Sequence, residues 1–189
     1  MTVTFTGSRP GKLCGFNHTS YSDFVQKLAV YLYTKFGDNT TFITGSAQGF
    51  DQLAFWAVDL IKTAFPNSHG IKNIVYVPFP DQGNRWKKTG PFSQEEFKQM
   101  LDKADEVKIL GENSNKSVGV LLQLRNEAMI NDSDIVIALY PDDSWRTAKG
   151  SGTANCMVYA DKKHCPILQI RYTIKDNKLI MPDEIKPAS

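Results

Sequence analysis

The sequence predicts an α/β fold: a Rossmann-like, open and mostly parallel sheet with helices on both faces. Three observations predict it. Short apolar, β-branched runs alternate with amphipathic stretches of helical length, the order expected of parallel strands joined by crossover helices. Ile135 to Tyr140 is apolar at nearly every position, as befits a strand covered on both faces. Three loops rich in glycine and hydroxyl residues each follow a strand, at the sheet edge where α/β proteins hold ligands.

The elements follow in order. Val3 to Thr6 alternates and reads as a strand that runs into Gly7-Ser8-Arg9-Pro10-Gly11. Ser20 to Phe36 places Phe24, Leu28, Tyr31, Leu32 and Phe36 at helical spacing, with Ser20 as the N-cap. Thr40 to Thr44 is the second strand. After Gly45-Ser46-Ala47-Gln48-Gly49, a helix from about Asp51 to Phe65 is expected to bury Leu53, Ala57, Leu60, Ile61 and Ala64. Ile74 to Val77 is a strand ended by Pro78 and Pro80, and the aperiodic stretch Asp81 to Pro91 is a long loop. Ser93 and Glu96 form a capping box for a helix to Ala104. Val107 to Leu110 is a short strand, Gly111 to Ser117 a polar loop and Val118 to Asn131 a helix. Past the buried strand, Asp142 to Gly152 is a loop, Thr153 to Lys163 a helix and Ile167 to Ile170 the final core strand. The tail 173–189 is either an edge hairpin or loose. No linker or repeat divides the chain, so one domain over 1–189 is expected.

Composition removes several function classes. No apolar run is long enough to span a bilayer. The net charge is +2 and the basic residues are dispersed, which argues against the concentrated basic face of a nucleic-acid binder. The three cysteines, Cys14, Cys156 and Cys165, make an odd count, and the first residues show no basic start followed by an apolar stretch. Free thiols in the cytoplasm are expected. His18, His69 and His164 lie far apart, so no metal site is expected, and nothing in the sequence calls for a bound cofactor.

The three loops carry the chemistry. In the first, Gly7 lets backbone N–H groups approach a ligand, Ser8 adds a hydroxyl and Arg9 a fork suited to phosphate; the plain alternative is a tight turn. The second, Gly45, Ser46 and Gly49 before the helix at Asp51, puts unpaired N–H groups at a helix start, an anion site. It lacks the Lys-Ser/Thr pair of a Walker loop. Asp51 is either the helix cap, an acceptor for a ribose hydroxyl or a base. The third, Gly150, Ser151, Gly152 and Thr153, can wrap a phosphate. Arg125 and Asn126 sit on a helix, and Arg125 shares its face with Leu121 and Met129. A core-facing arginine needs a partner, either an internal one at Asp132 or Asp134 or a ligand phosphate. Gln82 and Trp86 in the long loop either fold over a ligand or plug the sheet edge, and Trp56 and Trp145 read as packing residues.

Together these residues resemble the SLOG superfamily, which groups DprA (Smf), the LOG phosphoribohydrolases and the YpsA-like proteins. Thr44-Gly45-Ser46-Ala47-Gln48-Gly49-Phe50-Asp51 is similar to a DprA segment. Pro78-Phe79, Gln82 and Trp86 resemble a YpsA pattern. Arg125-Asn126 with Met129, followed by Asp132-Ser133-Asp134, resembles YpsA and LOG members, and Gly150-Ser151-Gly152-Thr153 the LOG phosphate loop. The YpsA-like branch resembles the chain most. The resemblance implies a fold that binds nucleotides or nucleotide-derived signals, and self-association as a homodimer.

The leading expectation is a sensing or sequestering module that holds a nucleotide-derived small molecule, ADP-ribose-like or a nucleoside monophosphate. The alternative is LOG-like cleavage of the N-glycosidic bond of a nucleoside 5′-monophosphate. In LOG enzymes a glutamate three residues after the loop threonine works with an arginine. Here that position is Cys156, and Arg125, Asp51 and Glu127 remain as catalytic candidates. Whether the chain is an enzyme is left open by its residues. A second alternative is DprA-like binding of single-stranded nucleic acid, which the dispersed charge disfavours.

Overall fold

The computed structural model describes residues 1–65, 69–112 and 114–188. Part of the expected polar loop at 111–117, and the last residue of the tail, lie outside the described residues. Seven strands form one sheet in the order β4-β3-β2-β1-β5-β6-β9. They are β1 (Thr2–Gly7), β2 (Thr41–Thr44), β3 (Lys72–Val77), β4 (Glu106–Ile109), β5 (Ile135–Leu139), β6 (Ile167–Ile170) and β9 (Lys186–Pro187). The first six pair in parallel, and β9 closes the β6 edge antiparallel. A separate hairpin joins β7 (Thr173–Lys175) to β8 (Lys178–Ile180). The tail therefore supplies both a hairpin and an edge strand.

The helices are α1 (Ser22–Phe36), α2 (Phe50–Ala64), α3 (Gln94–Lys103), α4 (Val118–Asn131) and α5 (Gly152–Lys162). Strand periodicity sorts them onto two faces. Val3, Phe5, Ile137 and Leu139 turn to the α1/α2 side, where Phe24, Leu28, Phe50 and Ala57 bury against them. Val136 and Ala138 turn to α5, and Ile43 and Tyr76 meet Met129 of α4. Val75 and Val77 lie under α2 and α3 with Phe55, Phe97 and Met100. This is the two-faced parallel sheet expected from the apolar strands.

Several local expectations need correction. Ser20 does not cap α1. It closes a 3-10 turn, His18–Ser20, that is capped by Asn17, and the helix begins two residues later. In α2, Ala64 is exposed and Leu60 only half-buried, though Leu60 still packs against the core. The Ser93 box is present in a shifted form: Ser93 Oγ accepts from Glu96 N–H at 3.2 Å, while the Glu96 carboxylate takes the N–H of Phe92.

Phe50 is fully buried at the start of α2 and meets Phe5 and Phe24 edge-on, with centroids 6.0 and 6.2 Å apart. Phe50→Ala is expected to cost about 3–5 kcal/mol through lost transfer energy and a cavity. Denaturant unfolding measures this, and a loss below about 1 kcal/mol would show that the site collapses without cost.

Candidate functional site

In the strand order, β1 lies between β2 and β5. The chain steps outward from β1 to β4 and then returns to the other side at β5. At this switch the loops beyond β1 and β5 diverge and leave a crevice at the carboxyl ends of the strands. A cavity of about 410 Å³ occupies that place. Phe5, Thr6 and Gly7 form its floor, and Ser8, Arg9, Gly11 and Lys12 continue from β1 into one wall. Ala47 and Asp51 come from the β2–α2 junction, Leu122, Arg125 and Asn126 from α4, and Gly150 to Thr153 from the start of α5.

Arg125 organises the site. It is 4% exposed, on a helix that packs over β2 and β3. Its Nη1 donates to Asp51 Oδ2 at 2.9 Å and to the Gly45 carbonyl oxygen. Asp51 Oδ2 also accepts from the Ala47 N–H at 3.1 Å. Asp51 is therefore not the N-cap of α2; Gly49 holds that position. Nor does Arg125 pair with Asp132 or Asp134. Asp132 accepts from Tyr76 and Lys108, and Asp134 from the Thr2 N–H at 2.7 Å. Both bonds use Nη1, and Arg125 Nε is buried with no partner among the described residues.

The second glycine loop differs most from its expected role. A β-carbon on Gly45 would overlap Arg125 Nη1, and one on Gly49 would overlap the Ser8 carbonyl oxygen. Gly49 also has φ +98, a left-handed backbone suited to glycine. Both glycines admit other parts of the protein, and neither lines the cavity. Ser46 is fully buried and its hydroxyl lies 2.7 Å from Gln82 Oε1 and 3.1 Å from the Tyr76 carbonyl oxygen. Gln82 thus supports the loop from behind. Trp86 packs edge-on against Phe97, centroids 5.1 Å apart, outside the cavity wall. Glu127 lies on α4 beyond the wall, accepting from Gln123 Nε2 at 2.9 Å.

Gly7, Ser8, Arg9, Asp51, Arg125, Asn126, Gly150, Ser151, Gly152 and Thr153 do share the cavity. Open space lies where β-carbons on Gly150 and Gly152 would stand. Ser151 caps α5 by accepting from Ala154 N–H at 3.2 Å. Loss of hydration pulls the Arg9 guanidinium below its ordinary value; Asp51 opposes the shift and Arg125 adds to it. Arg9 remains charged at neutral pH. Three cations, Arg9, Lys12 and Arg125, thus face one carboxylate, Asp51, among the described residues of the wall.

Sequence reasoning missed Lys12, Ala47 and Leu122. It also missed Tyr172, which lies 3.3 Å from Ser8 Oγ and donates to the Lys12 carbonyl oxygen at 3.1 Å, so that it holds the first loop in place. Nothing local marks Tyr172, since its partners lie at least 160 residues away. Cys156 is buried on α5 beside the floor residue Thr6, and burial pushes its thiol up to about 12. It is neither a carboxylate nor an available thiolate.

The model of the YspA SLOG family (YpsA) matches residues 3–174. The chain belongs to the YspA SLOG family. A curated relative is the uncharacterized SPbeta prophage-derived protein YoqJ of Bacillus subtilis (strain 168), 36% identical over 132 residues, or 65% of this chain and 70% of the relative. Among solved structures, the DNA processing protein A of Helicobacter pylori, described for its single-stranded DNA binding mode, superposes with a TM-score of 0.54 at 17% identity. The match covers 94% of this chain and 67% of that one. DprA of Streptococcus pneumoniae gives 0.56 at 16% identity, covering 93% of this chain and 52% of its own. At these identities the two structures establish a shared fold. The YpsA-like branch expected from the motifs is the family found, and no described helix is long and apolar enough to cross a membrane.

Two outcomes are expected from this geometry. Asp51→Asn leaves Arg125 as a buried, uncompensated charge and is expected to cost about 3–5 kcal/mol by denaturant unfolding; a loss under about 1 kcal/mol would mean that Arg125 finds water or another acceptor. Alkylation of the native protein at mildly basic pH is expected to reach the half-buried Cys165 before Cys156, which reacts only on unfolding. Peptide mass spectrometry reads the order, and early labelling of Cys156 would contradict the buried thiol.

Proposed function

We propose that the cavity binds a nucleotide-derived small molecule, with its phosphate against Arg125 and the Gly150–Thr153 loop, and that it holds the ligand without turning it over. The observation that carries this reading is Arg125: a buried guanidinium in the cavity wall, fixed through one nitrogen by Asp51 and Gly45, with Nε unmatched. The guanidinium also lines the cavity, so a ligand anion placed there meets its charge. The excess of cations in the wall and the open backbone at the start of α5 suit a phosphate, whose charge the helix terminus also favours. The cavity volume falls within the range of small-molecule sites, which supports a nucleoside monophosphate or an ADP-ribose-like molecule.

Binding without turnover is favoured by what the carboxylates are doing. Glycosidic cleavage needs a carboxylate free to assist an oxocarbenium-like transition state. Asp51 is the one carboxylate in the described wall, and its Oδ2 is committed to Arg125 and Ala47. Glu127 faces Gln123, and Cys156 supplies no charge. A phosphoribohydrolase reading therefore rests on Asp51 Oδ1 alone.

A second reading has its own support. Arg9 and Lys12 are exposed on the lip of the cavity, and Helicobacter pylori DprA, which shares the fold, binds single-stranded DNA. The same wall on this chain suits the backbone of a strand. The sequence-based expectation against nucleic acid, drawn from dispersed charge, does not account for this local pairing of cations.

The test is a thermal-shift panel of AMP, ADP-ribose, NAD, cyclic nucleotides and a short oligodeoxynucleotide, with chromatography of the same samples. A mononucleotide or ADP-ribose is expected to raise the melting temperature in a concentration-dependent way and to be recovered intact. Released base would establish hydrolysis. A shift with the oligonucleotide alone would favour the strand-binding reading. Gly152→Val, which fills open space at the start of α5, is expected to abolish the shift; retained binding would move the phosphate elsewhere.

A further inference from the structure

The ion pair in the cavity wall is made end-on, and half of each partner is unused. Arg125 gives Nη1 to Asp51 Oδ2 at 2.9 Å and to the Gly45 carbonyl oxygen, and Oδ2 also takes the Ala47 N–H at 3.1 Å. Asp51 Oδ1 accepts from no described residue. Yet it is not among the polar atoms sealed from solvent without a partner, as Arg125 Nε is. Asp51 is 6% exposed and lines the cavity, so the small surface it keeps includes Oδ1, and Oδ1 opens onto the cavity. Arg125 Nη2 stands in the same position beside it.

An ionised carboxylate oxygen can only accept hydrogen bonds. Beside a ligand phosphate it repels, so the ligand atom that meets Oδ1 must bring a hydrogen. The protein does not bring one. Arg9 feels the charge of Asp51 but forms no ion pair with it, and among the described residues the one cation paired with Asp51 is Arg125. A nucleotide carries two kinds of neutral donor, sugar hydroxyls and base N–H groups. Oδ1 belongs to the carboxylate whose other oxygen holds Nη1, so its partner must stand a few bonds from an anion held by Arg125. Sugar hydroxyls stand at that separation from a 5′-phosphate, whereas the amino groups of a base lie beyond the sugar.

Resting on the reading of the cavity as a nucleotide site, we propose that Asp51 Oδ1 accepts a free ribose hydroxyl, so that the site selects ribose-bearing ligands over their deoxy counterparts. A ligand without that hydroxyl displaces water from Oδ1 and leaves the oxygen unpaired, which is how a site built around one hydrogen bond rejects an analogue that lacks it. A DNA strand is a poor occupant on the same ground. Its sugars have no 2′-hydroxyl, and their 3′ oxygens are esterified along the chain.

Isothermal titration of the wild-type protein tests this with AMP and ADP-ribose, each beside analogues from which one ribose hydroxyl has been removed. Loss of the hydroxyl that meets Oδ1 is expected to weaken binding at least about tenfold. Fluorine in its place, similar in size but without a hydrogen, is expected to restore none of the loss. A crystal structure of the complex with the tighter-binding parent is expected to show that hydroxyl within hydrogen-bond distance of Oδ1. Three results would overturn the inference and keep the nucleotide reading: parents that bind with no single hydroxyl mattering, a fluoro analogue that binds like its parent, or a hydroxyl that meets another residue in the complex. Binding of neither AMP nor ADP-ribose would overturn both.

Discussion

A guanidinium that folds into the interior must be matched where it lands, and in this chain the matching of Arg125 determines the shape of the cavity. Asp51 at the head of α2, the Gly45 carbonyl after β2 and Arg125 on α4 meet within hydrogen-bond distance. They join helices from opposite faces of the sheet across the ends of the strands. Burying such a pair is costly unless most of its hydrogen-bonding groups are satisfied. The Ala47 N–H takes part of that role for Asp51. Glycine at position 45 follows from the same requirement, since any side chain there would displace the guanidinium. The pair is thus one reason that the second loop has the composition it has.

The remaining parts of the site are arranged around that knot. The first loop, held by Tyr172 and packed against Gly49, brings Arg9 and Lys12 to one side. The start of α5 brings open backbone to the cavity from beyond β5. The strand order makes this convergence possible, because only where the chain reverses its direction across the sheet do neighbouring loops separate enough to leave a crevice. An anion placed there meets cations and a helix terminus, with Asp51 neutralised by its own partner. Chemistry needing a free carboxylate is poorly served, because Asp51, the one carboxylate in the described wall, is bound up in structure.

Much of this was legible in the sequence, and the limits have a physical cause. The strands, the helices on both faces and the edge that carries the loops follow from hydrophobic period and length, which are local properties; the order of the strands in the sheet does not. Gly150, Ser151, Gly152 and Thr153 were recognisable as a cavity-lining loop because its residues are small throughout. Gly45 and Gly49 looked the same but make room for protein atoms, and sequence does not distinguish the two uses. The need of Arg125 for a partner was visible from its apolar helix face. Asp51 was not identifiable as that partner, because the two lie 74 residues apart and meet only through the sheet. Trp86 left two readings open, folding over a ligand or plugging the sheet edge, and only the packing of α3 brings Phe97 against it. Tyr172 had no local signal at all.

The most direct test of the account is calorimetric titration of the nucleotide that gives the largest thermal shift into wild-type protein and into Arg125→Met, with the fold of the variant checked by circular dichroism. If the phosphate rests on Arg125, the folded variant loses about 1.5–3 kcal/mol of binding free energy, the range of a hydrogen bond to a charged group. An unchanged affinity in a folded variant would contradict the account and would leave Arg125 as a structural residue with no ligand to complete it.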